Sequence, residues 1–327
     1  MITLMFKVFW VIIWCSLIFA PHKQLHGEKP DFPTDNPIIY DICFTPYGQA
    51  IAIADGPNVK IFDYENKNLL NSFEGHSRQI LSLSMTPDST LLASGGRDST
   101  AILWDMKSGE LLHRFTDHSG IVTTVDICPN GKYLATGSSN NSVVLYDLTD
   151  YSVIARHDKH FDDVTVVKFN PNGQTMVSGS ADGQLILYET MGGSIVEAYP
   201  EHTDWVRDIV FSKDGTCMMS AGDGPEIHTW RTDNLHFMEL LDYERSGRSW
   251  KTSLDYLQED YIYVWGNIRG RIVIESPIYR MTNHIGVPVH RVLSRPPENS
   301  LIELAVATRG RGVLILRGKD FKITNKP

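Results

Sequence analysis

The chain has 327 residues, a formal net charge of −9, 42% hydrophobic residues and only four cysteines. That length is too great for one small domain, and Cys15, Cys43, Cys128 and Cys217 show neither a disulfide framework nor metal-ligand spacing. Charge is unevenly spread: residues 28–244 hold 14 Lys and Arg against 32 Asp and Glu, while residues 245–327 hold 14 against 7, an acidic bulk that argues against a nucleic-acid partner.

The first twenty residues, MITLMFKVFWVIIWCSLIFA, are apolar apart from Lys7, with an uninterrupted run over 8–20. That run suits the core of a secretory signal and is short for a span of about 20 residues. Residues 1–27 are therefore expected to be a signal peptide or an N-terminal membrane anchor, with the chain exported or tethered; a misassigned start codon would leave it cytoplasmic. Residues 28–36, rich in proline, are expected to be a lead-in linker.

From residue 37 short apolar runs alternate with tight turns. IIYDICF, a TPYG turn, AIAIA, NVKIF and LLNSF make a first group. ILSLSM, TPDS, LLASGG, AILWD and ELLHRF follow, opened by Gly75-His76 and containing Trp104-Asp105. Two further groups open at His118 and His160, and another at His202. The turns PYG, PDS, PNG, PNG and KDG share one chemistry, in which Asn or Asp caps the turn and Gly often accepts a positive φ. His76, His118, His160 and His202 are each 42 residues apart, as are Phe62, Trp104, Tyr146, Tyr188 and Trp230. Beyond Asp233 the signature fades, but SWKTSLDYL, DYIYVWG and RIVIE make a sixth group, and VPVHRVL, LIELAVAT and GVLIL a seventh. FKIT at the end is expected to be the outer strand of the seventh.

A period of this length with Gly-His and Trp-Asp signatures resembles the WD-repeat (WD40) family. The resemblance covers nearly everything after Asn36. It implies an all-β chain, a seven-bladed β-propeller of four-stranded antiparallel blades over 37–327, preceded by the apolar segment. It further implies that a His, a Ser or Thr, an Asp and a Trp form a buried hydrogen-bonded chain within each blade. Carried over by position, blade two has His76, Ser94, Asp98 and Trp104. Blade three has His118, Thr136, Asn140 and Tyr146; blade four has His160, Ser178, Asp182 and Tyr188; blade five has His202, Ser220, Trp230 and, one place early, Asp223. Blade seven is expected to keep His284 without an acid. Tyrosine in place of tryptophan puts the network in question in blades three and four.

A Ser-His-Asp triad could be assembled from blade two, but the same set would then exist four times, so these residues read as structural rather than catalytic. His157, Asp158, His160, Asp162 and Asp163 resemble a metal cluster in composition, yet His160 already has a place in its blade; a solvated acidic turn is the expectation. Asp41, Ser82, Thr124, Val166 and Asp208 share one channel-lining register, with the two acids on non-adjacent blades. No catalytic residue, metal or cofactor is assigned.

For partner binding, Arg269-Gly270-Arg271 and Arg309-Gly310-Arg311 fall at equivalent turns 40 residues apart. Four guanidinium groups there could clamp carboxylate or phosphate groups. Trp205, three residues after His202, is a candidate anchor at the rim, with Arg78 of less weight. The expected function is a non-catalytic scaffold that binds a protein or peptide, acidic in part, through its loop face. The alternatives are a propeller hydrolase or lyase at the channel mouth, or a spacer in a larger assembly.

Overall fold

The computed structural model describes residues 30–232, 239–245, 250–256, 262–275, 279–295, 303–317 and 320–325; the leader lies outside them. Blade one is β1 (Ile42–Phe44), β2 (Ala50–Asp55), β3 (Asn58–Asp63) and β4 (Leu69–Glu74). Blade two is β5 (Ile80–Met85), β6 (Leu91–Gly96), β7 (Ala101–Asp105) and β8 (Leu111–Phe115). Blade three is β9 (Val122–Ile127), β10 (Tyr133–Ser138), β11 (Val143–Asp147) and β12 (Val153–His157). Blade four is β13 (Val164–Phe169), β14 (Thr175–Ser180), β15 (Leu185–Glu189) and β16 (Ile195–Tyr199). Blade five is β17 (Val206–Phe211), β18 (Cys217–Gly222), β19 (Glu226–Arg231) and β20 (Glu239–Arg245). Blade six begins with β21 (Lys251–Tyr256), β22 (Tyr263–Asn267), β23 (Arg271–Glu275) and β24 (Tyr279–His284), and blade seven has β25 (Val289–Ser294), β26 (Glu303–Thr308) and β27 (Val313–Arg317). The last strand, β28 (Lys322–Asn325), pairs antiparallel with β24. The expected outer strand of blade seven is thus the fifth strand of blade six, and blade seven has three.

The second and third strands of a blade are apolar on both faces because each face meets another blade. β2 and β14 are buried at every residue, whereas β4 is largely exposed and β12 has no buried residue. The core is accordingly divided into seven clusters, each between two successive blades, and the last joins Ala305, Ala307, Val313 and Ile315 of blade seven to Ile51, Ile53 and Phe62 of blade one. The circle is closed. At Gly179 the approach is so near that an added Cβ would stand 2.6 Å from Cγ1 of Val206 on the next blade.

The innermost strands carry the unusual chemistry. Their pairing with the second strand slips by one residue, for example between Ile80 and Ser82, Val164 and Val166, and Val206 and Asp208. Such a bulge turns two successive side chains toward the channel. It also leaves backbone N–H groups that no strand covers, and side chains of the preceding blade take them. Leu83 N–H donates to Asp41 (2.8 Å), Val125 to Ser82 (3.1 Å), Val167 to Thr124 (3.1 Å), Leu254 to Asp208 (2.8 Å) and Val292 to Ser253 (3.1 Å). Arg291 of blade seven crosses the channel, with Nη1 2.6 Å from Asp208 Oδ2 and Nε 3.4 Å from Asp41 Oδ1. The two acids expected on non-adjacent blades are joined through this one guanidinium.

The lead-in is more than a linker. Phe32 and Ile39 are fully buried in the cluster between blades seven and one. Asp31 N–H donates to Val313 O (3.0 Å), Asp31 Oδ2 accepts from Ile315 (2.7 Å), and Ile39 N–H donates to Thr308 O (3.0 Å). Residues 30–39 therefore latch the first blade to the last.

Arg291→Met should lower stability by about 3–5 kcal/mol near neutral pH, because it leaves buried acids uncompensated. Burial raises the carboxyls of Asp41 and Asp255 above their ordinary value, against the opposing pull of Arg291. Carboxyls raised in the folded state stabilise it when protonated and lose that contribution as pH rises through the raised values. The deficit of the variant should therefore shrink as pH is lowered from about 7 toward about 4, as read by urea unfolding. A deficit independent of pH would contradict its electrostatic origin.

Candidate partner-binding face

The repeated histidines sit in the loops that enter each innermost strand. In blade two His76 Nδ1 lies 3.0 Å from Asp98, His76 Nε2 lies 2.8 Å from Ser94 Oγ, and Trp104 Nε1 donates to the same Oγ at 2.8 Å. Burial opposes the charge on Asp98, yet its bond to His76 still holds the carboxyl below its ordinary value. Blade four keeps the whole chain with tyrosine: His160 reaches Asp182 (3.1 Å) and Ser178 (2.7 Å), and the Tyr188 hydroxyl meets Ser178 Oγ at 3.0 Å. Blade three does not. His118 bonds Thr136 (2.7 Å) and Ser142 (2.9 Å), Ser142 donates to Asn140 (2.6 Å), and the buried Tyr146 hydroxyl has no hydrogen-bond partner among the described residues.

Blade five corrects the expectation for Asp223. His202 reaches Ser220 (2.7 Å) and Trp230 Nε1 donates to Ser220 (2.8 Å), but Asp223 instead takes a bidentate pair from Arg207, at 2.8 Å twice. Set one residue early in the turn, its carboxylate faces the channel-side Arg207, while the His228 ring stacks on His202 at 4.1 Å. His284 is also corrected: it is exposed on β24, paired across from Arg271. Blade six replaces the network with groups that the repeat did not reveal. Trp265 Nε1 donates to buried Glu275 (2.9 Å), Arg280 Nε bonds the other carboxylate oxygen (2.7 Å), and the fully buried Lys251 donates to Gly224 O (3.0 Å). Burial brings the Lys251 ammonium down to about 8. One signal was available: a lysine stands where the other blades place Ile39, Ile80, Val122, Val164, Val206 and Val289.

The mixed His and Asp group around His160 disperses in the same way. His157 Nε2 bonds Gly193 O (2.6 Å) and Asp158 lies 3.5 Å from Arg156; among the described residues no group of three or more His, Cys, Asp or Glu is placed to hold a metal ion. In the channel mouth, a cavity of about 150 Å³ is lined by Tyr40, Arg207, His290 and four threonines, among other residues. Its carboxylates are already committed to backbone N–H groups and Arg291.

The histidine loops and the turns between second and third strands share one face of the ring. One backbone bond recurs between them: Arg97 to Gln79, Ser139 to Ile121, Ala181 to Asp163, Asp223 to Trp205, Ile268 to Trp250 and Arg309 to Pro288. On this face Arg78, Arg269, Arg271 and Arg309 are exposed and Arg311 is half-buried. The two Arg-Gly-Arg turns are linked through one loop: Ile285 N–H donates to Gly270 O (2.9 Å), and Arg311 Nη1 donates to Ile285 O (3.2 Å). Gly270 has φ +79, and a Cβ there would meet Val287 O at 2.6 Å, so the turn requires glycine. Trp205 is 38% exposed, with the Arg207 guanidinium 4.3 Å from its ring centre.

Comparison with known proteins agrees with this architecture. A family described as "NWD2 C-terminal beta-propeller" matches residues 71–207, and "WD domain, G-beta repeat" matches 193–230. The small ribosomal subunit protein RACK1y of Oryza sativa subsp. japonica is 36% identical over 66 residues, 19% of this chain and 20% of that one. The guanine nucleotide-binding protein subunit beta of Schizosaccharomyces pombe is 32% identical over 72 residues, 22% of this chain and 23% of its own. The intraflagellar transport protein 122 homolog of Danio rerio is 30% identical over 66 residues, 20% of this chain and 6% of its own. The matched stretches thus span less than a quarter of each of these relatives' length.

Ser178→Ala should cost about 1–3 kcal/mol by stranding His160 and Tyr188, with partner binding unchanged; loss of binding at unaltered stability would contradict a structural role. Burial holds His118 down to about 4 from 6.5, so the stability it contributes is present above 6.5 and is lost as pH falls toward 4. His118→Gln should flatten that part of a pH–stability profile, and an unchanged slope would contradict the assignment.

Proposed function

We propose that this chain, which belongs to the WD-repeat β-propeller family, is a non-catalytic scaffold that binds a protein or peptide partner through its histidine-loop face. One observation carries the reading. The residues with the chemistry of catalysis are satisfied within the blades, whereas the exposed arginines and aromatics on one face are presented by turns fixed by repeated backbone bonds. Preorganised turns bind with little ordering cost. The names of the relatives, a ribosomal subunit protein and a G-protein β subunit among them, describe proteins that work within assemblies, which supports a role in assembly here.

In this reading Arg269, Arg271, Arg309 and Arg311 take an acidic segment of the partner. Arg311 is held toward Ile285, which leaves the exposed Arg269, Arg271 and Arg309 as the principal donors. The apolar leader over residues 1–20, outside the described residues, delivers or tethers the ring, so the partner is met at or beyond a membrane.

The test is binding of a fluorescent glutamate-rich peptide, and capture of natural partners, by the chain and by its Arg271→Glu/Arg309→Glu variant. The variant should bind the peptide at least about tenfold more weakly, a loss of about 1.4 kcal/mol, and the wild-type affinity should fall as salt rises. Equal binding by the two chains would remove the acidic-segment reading.

A further inference from the structure

The same face carries three exposed aromatic side chains on consecutive blades, the last of them beside the arginine turn of blade six. Phe161 of blade four is 82% exposed, Trp205 of blade five 38% and Trp250 of blade six 51%. Trp205 and Trp250 occupy the same position in their blades, since each carbonyl accepts the recurring turn bond, from Asp223 and from Ile268. Phe161 follows His160 directly, and its N–H is held by Asp182 at 2.8 Å. All three are therefore fixed at the backbone while their rings face solvent. Three large aromatics in a row are unusual on a surface that is otherwise polar.

The setting of these rings selects the ligand. The loops that present them bring exposed Asp162, Glu201 and Asp204 and half-buried Asp163. Among the described residues of these loops Lys159 is a cation, exposed Arg269 adjoins the turn bond to Trp250, and Arg207, stacked on Trp205, is neutralised by its bidentate pair with Asp223. Burial and the adjacent Asp162 push the Asp163 carboxyl above its ordinary value, a repulsion that an incoming cation relieves. Aromatic faces beside carboxylates attract a cation twice over, through the ring quadrupole and through charge. Acidic or purely apolar ligands would meet repulsion or an unmatched rim.

We propose that Phe161, Trp205 and Trp250 form a docking strip for an extended peptide segment in which arginine or lysine alternates with apolar residues. The inference rests on the scaffold reading and deepens it. The face is bipolar, with a basic-apolar stretch of the partner on blades four to six and an acidic stretch on the arginines of blades six and seven. Extended backbone suits the strip because its anchors lie in an arc around the ring and form no enclosed cage.

The test is fluorescence anisotropy of the full chain with three labelled peptides of about a dozen residues. One alternates Arg and Leu, the second has citrulline in place of Arg, and the third has Glu. The Arg peptide should bind the wild-type chain, and the citrulline peptide should bind at least about tenfold more weakly. W205A/W250A should weaken the Arg peptide at least about tenfold. D163N/D204N, which removes two carboxylate charges at nearly constant side-chain shape, should weaken it in the same direction with thermal unfolding unaltered. R271E/R309E should leave it within about twofold. No binding of the Arg peptide by the wild-type chain, equal binding of the citrulline peptide, or wild-type affinity in both aromatic and carboxylate variants would each overturn the proposal. Capture of the Glu peptide by the arginines with the Arg peptide ignored would leave the scaffold reading standing and this inference refuted.

Discussion

A sheet that ends at a central channel leaves its innermost backbone edge without a neighbouring strand, and every N–H on that edge must find a partner. Here the partner is a side chain of the preceding blade. Asp41, Ser82, Thr124, Asp208 and Ser253 each reach forward by one blade, and the bulge in the innermost strands aims them. The constraint explains why short polar residues line a channel in an otherwise apolar core. It also explains Arg291: acids are good acceptors for backbone N–H groups, but three of them near one axis, Asp41, Asp208 and Asp255, need a buried cation.

The same logic governs the blades. Each is a sheet apolar on both faces, which cannot exist alone and is stable only between neighbours. Polar groups inside such a blade come as closed sets, and the histidine networks are these sets. They rigidify the loops that enter the innermost strands, and the recurring bond from turn to loop carries that rigidity to the rim. Function then falls to whatever side chains the rim presents. Blades four to six present aromatics and carboxylates, and blades six and seven present arginines.

The regular part of this was legible because it repeats. A histidine and an aromatic every 42 residues locate blades two to five and their strands, and the spacing of apolar runs carries the count to seven. What the repeat could not convey lies where it breaks. Tyr146 and Tyr188 look alike in sequence, yet only Tyr188 reaches its hydroxyl partner, because Thr136 and Ser178 stand in differently completed networks. Asp223 stands one residue early in its turn, and its carboxylate pairs with the bulged Arg207 instead of the blade histidine. Lys251, Trp265 and Glu275 are non-repeating and had no sequence partner to be read against. β28 skips its own blade to pair with β24, and the burial of Phe32 depends on contacts with residues of the last blade at the closure; neither is within the reach of local pattern.

The proposed bipolar face makes a direct claim about where binding is felt. Amide hydrogen exchange of the full chain, alone and saturated with a captured partner, addresses it. The account predicts new protection at residues 160–163, 203–205, 268–271 and 309–311, with the turns on the opposite face, such as 45–48, 86–89 and 130–132, unchanged. Protection confined to that opposite face or to the outer strands would contradict it.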